Sequence, residues 1–186
     1  MNTSPSYAET LLVIIDMQKA FQLDGAQWQC PGYDSAATQV KQLRAAHPGP
    51  AVWTQFVRDP HEEGAWQDYY DKWHQYRIKP NDPMWHLTLE PEPQDTLIKA
   101  PTFGKWTTEL PKIANEYQHI TVAGVATDCC VLSTVLPAVD AGKYVTVVSD
   151  ACAGATQQAH EQALKLMGML EPMVTITTTD ELLGSR

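Results

Sequence analysis

The chain has 186 residues, 44% of them hydrophobic, enough for one domain with a substantial core and too many for extended disorder. Thirteen Lys and Arg against 22 Asp and Glu give a net charge of −9 with no dense basic cluster, which argues against nucleic acid as a partner. No apolar run approaches the ~20 residues that span a bilayer, and the polar start MNTSPSYAET lacks an export signal's basic and apolar regions, so no membrane partner is expected.

The four cysteines, Cys30, Cys129, Cys130 and Cys152, give no disulfide framework, and there is no CxxC for a redox motif or zinc knuckle. Free thiols without an export signal point to a cytoplasmic setting.

The first run, Thr10-LLVIID-Met17, is continuously apolar and ends in an acid, as suits a strand buried on both faces of a parallel sheet. Asp16 then lies at a strand's carboxyl end, where open α/β sheets place ligands, or it caps a turn. Residues 18–32 read as loop, with Phe21 and Trp28 available to wall a pocket. A helical rhythm over 34–46 stops before Pro48-Gly49-Pro50, and 51–57 (AVWTQFV) is a second strand. Residues 58–94 mix proline, charge and aromatics without a sustained period, and are long for a connection. Within them Trp66, Tyr69, Tyr70 and Trp73 fall at i, i+3, i+4, i+7, the spacing of a short amphipathic helix whose stripe faces core, subunit interface or ligand.

A third strand, 96–100 (TLIKA), puts Lys99 near its carboxyl end, and a short helix over 108–117 follows with Pro111 in its first turn. The stretch HITVAGVATDCCVLSTVLPAVDAGKYVTVVSD, 119–150, reads as strand, sharp turn, helix from Cys129-Cys130 to Gly142, then strand over 144–148. A cysteine in the first turn of a helix beyond a buried strand sits where backbone N–H groups and the helix dipole favour a thiolate. Pro137 inside that helix is expected to kink it. An amphipathic helix over 156–169, a strand over 173–176 and a turn over 180–183 complete the chain. Strands alternating with helices predict a single-domain, three-layer, doubly wound α/β fold with about six mostly parallel strands.

Taken together these segments resemble the isochorismatase-like cysteine hydrolase family over nearly the whole chain. LLVIIDMQKAF, with Asp16, Gln18 and Phe21 in D-x-Q-x-x-F spacing, is similar to the family's opening strand and acid. In IKAPTFGKWTTEL the family's lysine stands nine residues before Thr and eleven before Leu, a spacing that Lys99 fits to Thr108 and Leu110 and Lys105 does not. GVATDCCV resembles the nucleophile signature, in which cysteine directly precedes valine, selecting Cys130 over Cys129. SDACAG followed by His160-Glu161-x-Ala163-Leu164 is similar to the closing pattern.

The resemblance implies Cys130 as nucleophile, Asp16 as general base and acid, and Lys99 orienting Asp16 and lowering the cysteine's pKa. It implies a cis Val125–Ala126 peptide that aims the Ala126 and Cys130 N–H groups at one point as an oxyanion hole. Gln18, Phe21, Trp53, Gln55 and Trp106 are candidate substrate contacts, with core packing the favoured reading for the two tryptophans. The expected reaction is hydrolysis of a small amide, carbamoyl or ureido compound through a thioester, with no cofactor and no metal, by a homodimer or homotetramer. Thr102-Phe103-Gly104-Lys105 departs from the family's usual sequence after the lysine. Asp59-Pro60-His61 stands three residues later than the nicotinamidases' metal-binding Asp-x-His, leaving a metal-dependent nicotinamidase as one alternative. Vinyl-ether hydrolysis, and a thiol redox or binding role for the Cys129-Cys130 pair, are the others.

Overall fold

A computed structural model describes residues 6–184; the opening five residues, part of the polar start read above, lie outside it. Six strands form one parallel sheet: β1 (Leu11–Ile15), β2 (Val52–Phe56), β3 (Thr96–Ala100), β4 (His119–Val125), β5 (Tyr144–Ala153) and β6 (Val174–Thr177). Their order is β3-β2-β1-β4-β5-β6. The chain builds outward from β1 to one edge, returns to the middle at β4, and builds outward to the other. Neighbouring loops therefore leave the sheet in opposite directions after β1 and β4, and a crevice opens there at the carboxyl ends.

The five side chains of β1 are all buried, and they alternate between two cores. Leu12 and Ile14 join Val40, Trp53, Phe56, Ala123, Val125 and Val148 on one face. Leu11, Val13 and Ile15 join Ile120, Val122, Val135, Val147 and Met167 on the other. The first face is covered by α1 (Lys19–Gln22), α2 (Tyr33–Ala46), the 58–94 insert with α3 (Ala65–Lys72), and α7 (Thr179–Gly184). The second is covered by α4 (Leu110–Ala114), α5 (Leu132–Asp140) and α6 (Gln157–Gly168). A strand hydrophobic along its whole length is what this two-sided burial requires.

Three local readings need correction. The 18–32 segment is not all loop, since α1 lies within it and Gln18 forms an antiparallel bridge with Leu87 of the insert. The helix read over 108–117 is shorter, and the one after β4 begins with a π turn, Thr127–Val131, in which the Val131 N–H reaches the Ala126 carbonyl. The strand read as ending at 148 runs on to Ala153, because the polar pair Ser149-Asp150 breaks the apolar pattern without ending the strand. Register slips there: Val122 faces Val147, whereas Gly124 faces Cys152.

Gly124 allows that irregularity. Its φ is +118°, a conformation that side chains rarely adopt, and a Cβ built on it would fall 2.1 Å from the Ile15 carbonyl oxygen of β1. Gly124→Ala is expected to destabilise the protein by about 3 kcal/mol or more, since the obstacle is backbone in the central strand pair. Thermal unfolding should show this as a loss of roughly 6–12 °C; an unchanged melting temperature would contradict the close approach.

Candidate active site

Asp16 follows the last residue of β1 with φ +46° and a fully buried side chain. Thr54 of β2 fixes it from two sides: the Thr54 hydroxyl donates to Asp16 Oδ1 at 2.6 Å and accepts the Asp16 N–H at 3.2 Å. The other carboxylate oxygen, Oδ2, faces Lys105 Nζ at 2.9 Å, and both side chains are 0% exposed. Lys105 Nζ also donates to the Thr102 carbonyl at 2.7 Å and lies over the Phe56 ring, 4.9 Å from its centre. The ammonium is thus held by one full charge, one carbonyl dipole and one aromatic face.

Lys99 is not part of this arrangement. It sits on β3, an edge strand whose buried positions are Ile98 and Ala100, and its side chain is exposed. Alternation in a strand buried on one side sends residue 99 opposite to its neighbours, so the lysine that meets Asp16 comes from the loop after β3. The period-2 pattern of TLIKA was the available signal; family spacing pointed elsewhere.

Cys130 lies in the π turn directly beyond β4, 2% exposed, on the sheet's second face. The Val125–Ala126 peptide before the turn is cis. Cys130's thiol is pushed well above the ordinary thiol range, first by the adjoining Cys129 thiol, then by burial and the Asp16 charge, with Lys105 pulling the other way. The neighbouring thiol, burial and the Asp16 carboxylate thus act against the thiolate that the helix start favours, and Lys105 acts for it. Cys129 is half-buried, and among charged groups Asp128 acts on it ahead of Lys105 and Asp16.

The segment after β5 braces the turn. Asp128 Oδ1 accepts the Ala155 N–H at 2.9 Å, and Thr127 Oγ1 shares a hydrogen bond with His160 Nδ1 at 2.8 Å. Gly154 permits this approach, since a Cβ there would fall 2.7 Å from Asp128 Oδ1. Burial first, opposed by the charges of Glu161 and Asp128, lowers His160's pKa and keeps its ring neutral near pH 7.

The residues singled out as substrate contacts divide. Gln18 is fully buried and clamps backbone, donating to the Phe56 and Trp85 carbonyls at 2.9 and 2.6 Å and accepting the Phe56 N–H at 2.8 Å. Gln55 also donates to the Trp85 carbonyl, at 2.5 Å, so the two side chains share one backbone acceptor of the insert. Trp53 lies near the amino end of β2, its indole N–H donating to Asp95 Oδ2 at 2.8 Å, and it belongs to the core. Asp95 in turn bonds Arg44 and the Ala51 N–H, tying α2 to the sheet. Phe21 stacks on Trp28, which stacks on Tyr76 with centroids 3.8 Å apart. Trp106 is half-buried against the second core.

The aromatic stripe of the insert forms a roof. Trp66 and Tyr69 lie 5.0 and 5.4 Å from Phe103, which sits 6.3 Å from Phe56, the ring beneath the lysine. Tyr69 is near enough to Cys129 and Cys130 that their charges add to the burial raising its phenol's pKa. Arg58 and Arg77 both pair with Glu62, and Arg77 with Asp71, which ties the start of the insert to its middle across α3. Asp59 and His61 do not make a metal site: Asp59 Oδ1 accepts the His61 N–H, and no group of three His, Cys, Asp or Glu among the described residues could hold an ion.

A family model described as "Isochorismatase domain" matches residues 10–181. Solved structures are similar at low identity. A cysteine hydrolase from Pseudomonas syringae pv. phaseolicola is 19% identical with a TM-score of 0.83, over 99% of this chain and 97% of that one. An N-carbamoylsarcosine amidase from Thermoplasma acidophilum is 19% identical with a TM-score of 0.72, over 92% and 97%. A zinc complex of a pyrazinamidase from Pyrococcus horikoshii is 23% identical with a TM-score of 0.71, over 91% and 99%.

Replacing each lysine separates their roles without a substrate. Lys105→Met leaves a buried carboxylate without its counter-charge and should cost about 3–5 kcal/mol in denaturant unfolding. Lys99→Met, on the exposed edge, should change stability by less than ~0.5 kcal/mol. Equal losses would contradict the pairing.

Proposed function

Because the chain belongs to the isochorismatase family, whose domain covers residues 10–181, we propose that it is a cysteine hydrolase that cleaves a C–N bond of a small amide, carbamoyl or ureido compound without a metal. The observation that carries this reading is the sealed Asp16–Lys105 pair at the sheet's crevice, with Cys130 at the start of the adjacent helix and within the field of both charges. Such a pair gives a thiol nucleophile a base of fixed orientation. The amidases among the similar folds agree with this reading.

In the proposed reaction the Cys130 sulfur attacks the substrate carbonyl as its proton passes to Asp16. A carboxylate base suits a thiol that is protonated at rest, since proton loss and C–S bond formation then coincide. The carbonyl π pair moves onto oxygen, and the Ala126 and Cys130 N–H groups receive the resulting oxyanion. Collapse re-forms the C=O bond and breaks C–N; the amine departs with the proton from Asp16, leaving a thioester. Water, deprotonated by Asp16, adds to the thioester, and the Cys130 thiolate leaves and recovers its proton from Asp16. Lys105 keeps its charge throughout, holding the carboxylate in place. A zinc of the kind in the similar pyrazinamidase finds no three donors among the described residues, so no step runs through a metal.

A panel of primary amides, N-carbamoyl amino acids and ureido acids, scored for ammonia release, tests the reading. Cys130→Ala should lower turnover of any active compound by ~10³-fold or more and trap no acyl adduct detectable by intact mass, while Cys129→Ala keeps most of the rate. Full turnover by Cys130→Ala would overturn it.

A further inference from the structure

We infer that Thr134 is a positioning residue, whose single hydroxyl sets the separation between the backbone carrying Cys130 and the backbone carrying Lys105. Thr134 lies in α5, one turn beyond Cys130, and is 2% exposed. Its Oγ1 donates to the Cys130 carbonyl at 2.7 Å and accepts the Lys105 N–H at 2.9 Å. A helical threonine bonding back to the residue four before it is commonplace. The second bond is what sets this one apart, because it reaches a loop residue 29 positions earlier whose ammonium rests on Asp16.

The proton inventory leaves one solution. A peptide N–H only donates and a carbonyl only accepts, so the group between Lys105 and Cys130 must do both. A hydroxyl does; a methyl group in its place would leave the buried Lys105 N–H without this partner and remove the added bond to the Cys130 carbonyl. The adjoining backbone is pressed just as closely. A Cβ on Gly104 would lie 2.6 Å from the Ser133 carbonyl oxygen, so the loop before Lys105 packs directly on the residue before Thr134. Polar bridge and close approach together fix how far the lysine-bearing loop stands from the nucleophile's helix, and through Lys105 they fix Asp16. The geometry is independent of the reaction; only the consequence for turnover rests on the hydrolase reading.

Two readouts separate positioning from plain stability. The first needs no substrate: the pH profile of Cys130 alkylation by iodoacetamide, site-resolved by peptide fragmentation. Since the Lys105 charge lowers the Cys130 pKa, loosening the lysine should move the profile to higher pH in Thr134→Val, while Thr134→Ser, which keeps both bonds, stays within experimental error of the parent. Thr121→Val is the stability control, removing a fully buried hydroxyl that pairs with Thr10 at 2.8 Å at the far end of the sheet, and should leave the profile in place. If Thr134→Val does not fold, Thr134→Ala, which removes both bonds without adding bulk, is read instead.

The second readout is turnover on whichever panel compound is active. Thr134→Val should lower kcat by up to about 10²-fold with KM little changed, as small misplacements of a reacting group do. An unmoved alkylation profile in Thr134→Val or Thr134→Ala, or a Thr134→Ser variant as impaired as Thr134→Val, would overturn the inference. A shifted profile in a protein that hydrolyses no compound of the panel would support the bridge and count against the hydrolase reading alone.

Discussion

A carboxylate and an ammonium 2.9 Å apart with neither reaching solvent is the constraint around which this molecule is arranged. Taking both charges out of water costs nearly as much as their attraction returns, so the pair adds little net stability and needs its surroundings to hold it. Those surroundings are specific. The Thr54 hydroxyl occupies one carboxylate oxygen, the Thr102 carbonyl and the Phe56 ring take the ammonium's remaining faces, and Gln18 clamps the ends of β1 and β2 together beneath them.

The topology explains why the pair forms where it does. Between β1 and β4 the outgoing loops diverge, so the residue that ends β1 and the turn that follows β4 face one crevice from opposite sides. The loop after β3, two strands away, reaches that crevice only by folding back across the end of β2. Its close seat on α5 at Gly104 and Thr134 is what brings Lys105 within range of Asp16.

Much of this was legible in the sequence. The unbroken apolar run of β1 announced a strand buried on both faces; pattern put Asp16 at its end and the Cys129-Cys130 pair after a strand and turn, and the resemblance chose Cys130 of the two. The lysine was not. Spacing to Thr108 and Leu110 favoured Lys99, whereas the partner is Lys105, placed by a loop whose path depends on contacts with α5 that no local pattern encodes. Gln18 and Gln55 stand among the candidate substrate contacts, and both donate to backbone carbonyls of the insert or of β2, a pairing that only tertiary structure reveals. Thr54 and Thr134 went unnoticed for the same reason. A lone threonine in a strand or helix is unremarkable until the groups on either side of its hydroxyl are known.

The aromatic insert carries a consequence of another kind. Phe103, Trp66 and Tyr69 gather on the side of Cys130, a residue 2% exposed, beside a carboxylate and an ammonium that are not exposed at all. Little of Cys130 meets solvent while the rings keep these positions. Access to the thiol is therefore bound up with a few rings in tilted and edge-on contact, Trp66 and Tyr69 against Phe103. Chain length and loop composition in residues 58–94 then act on admission itself as much as on what is admitted.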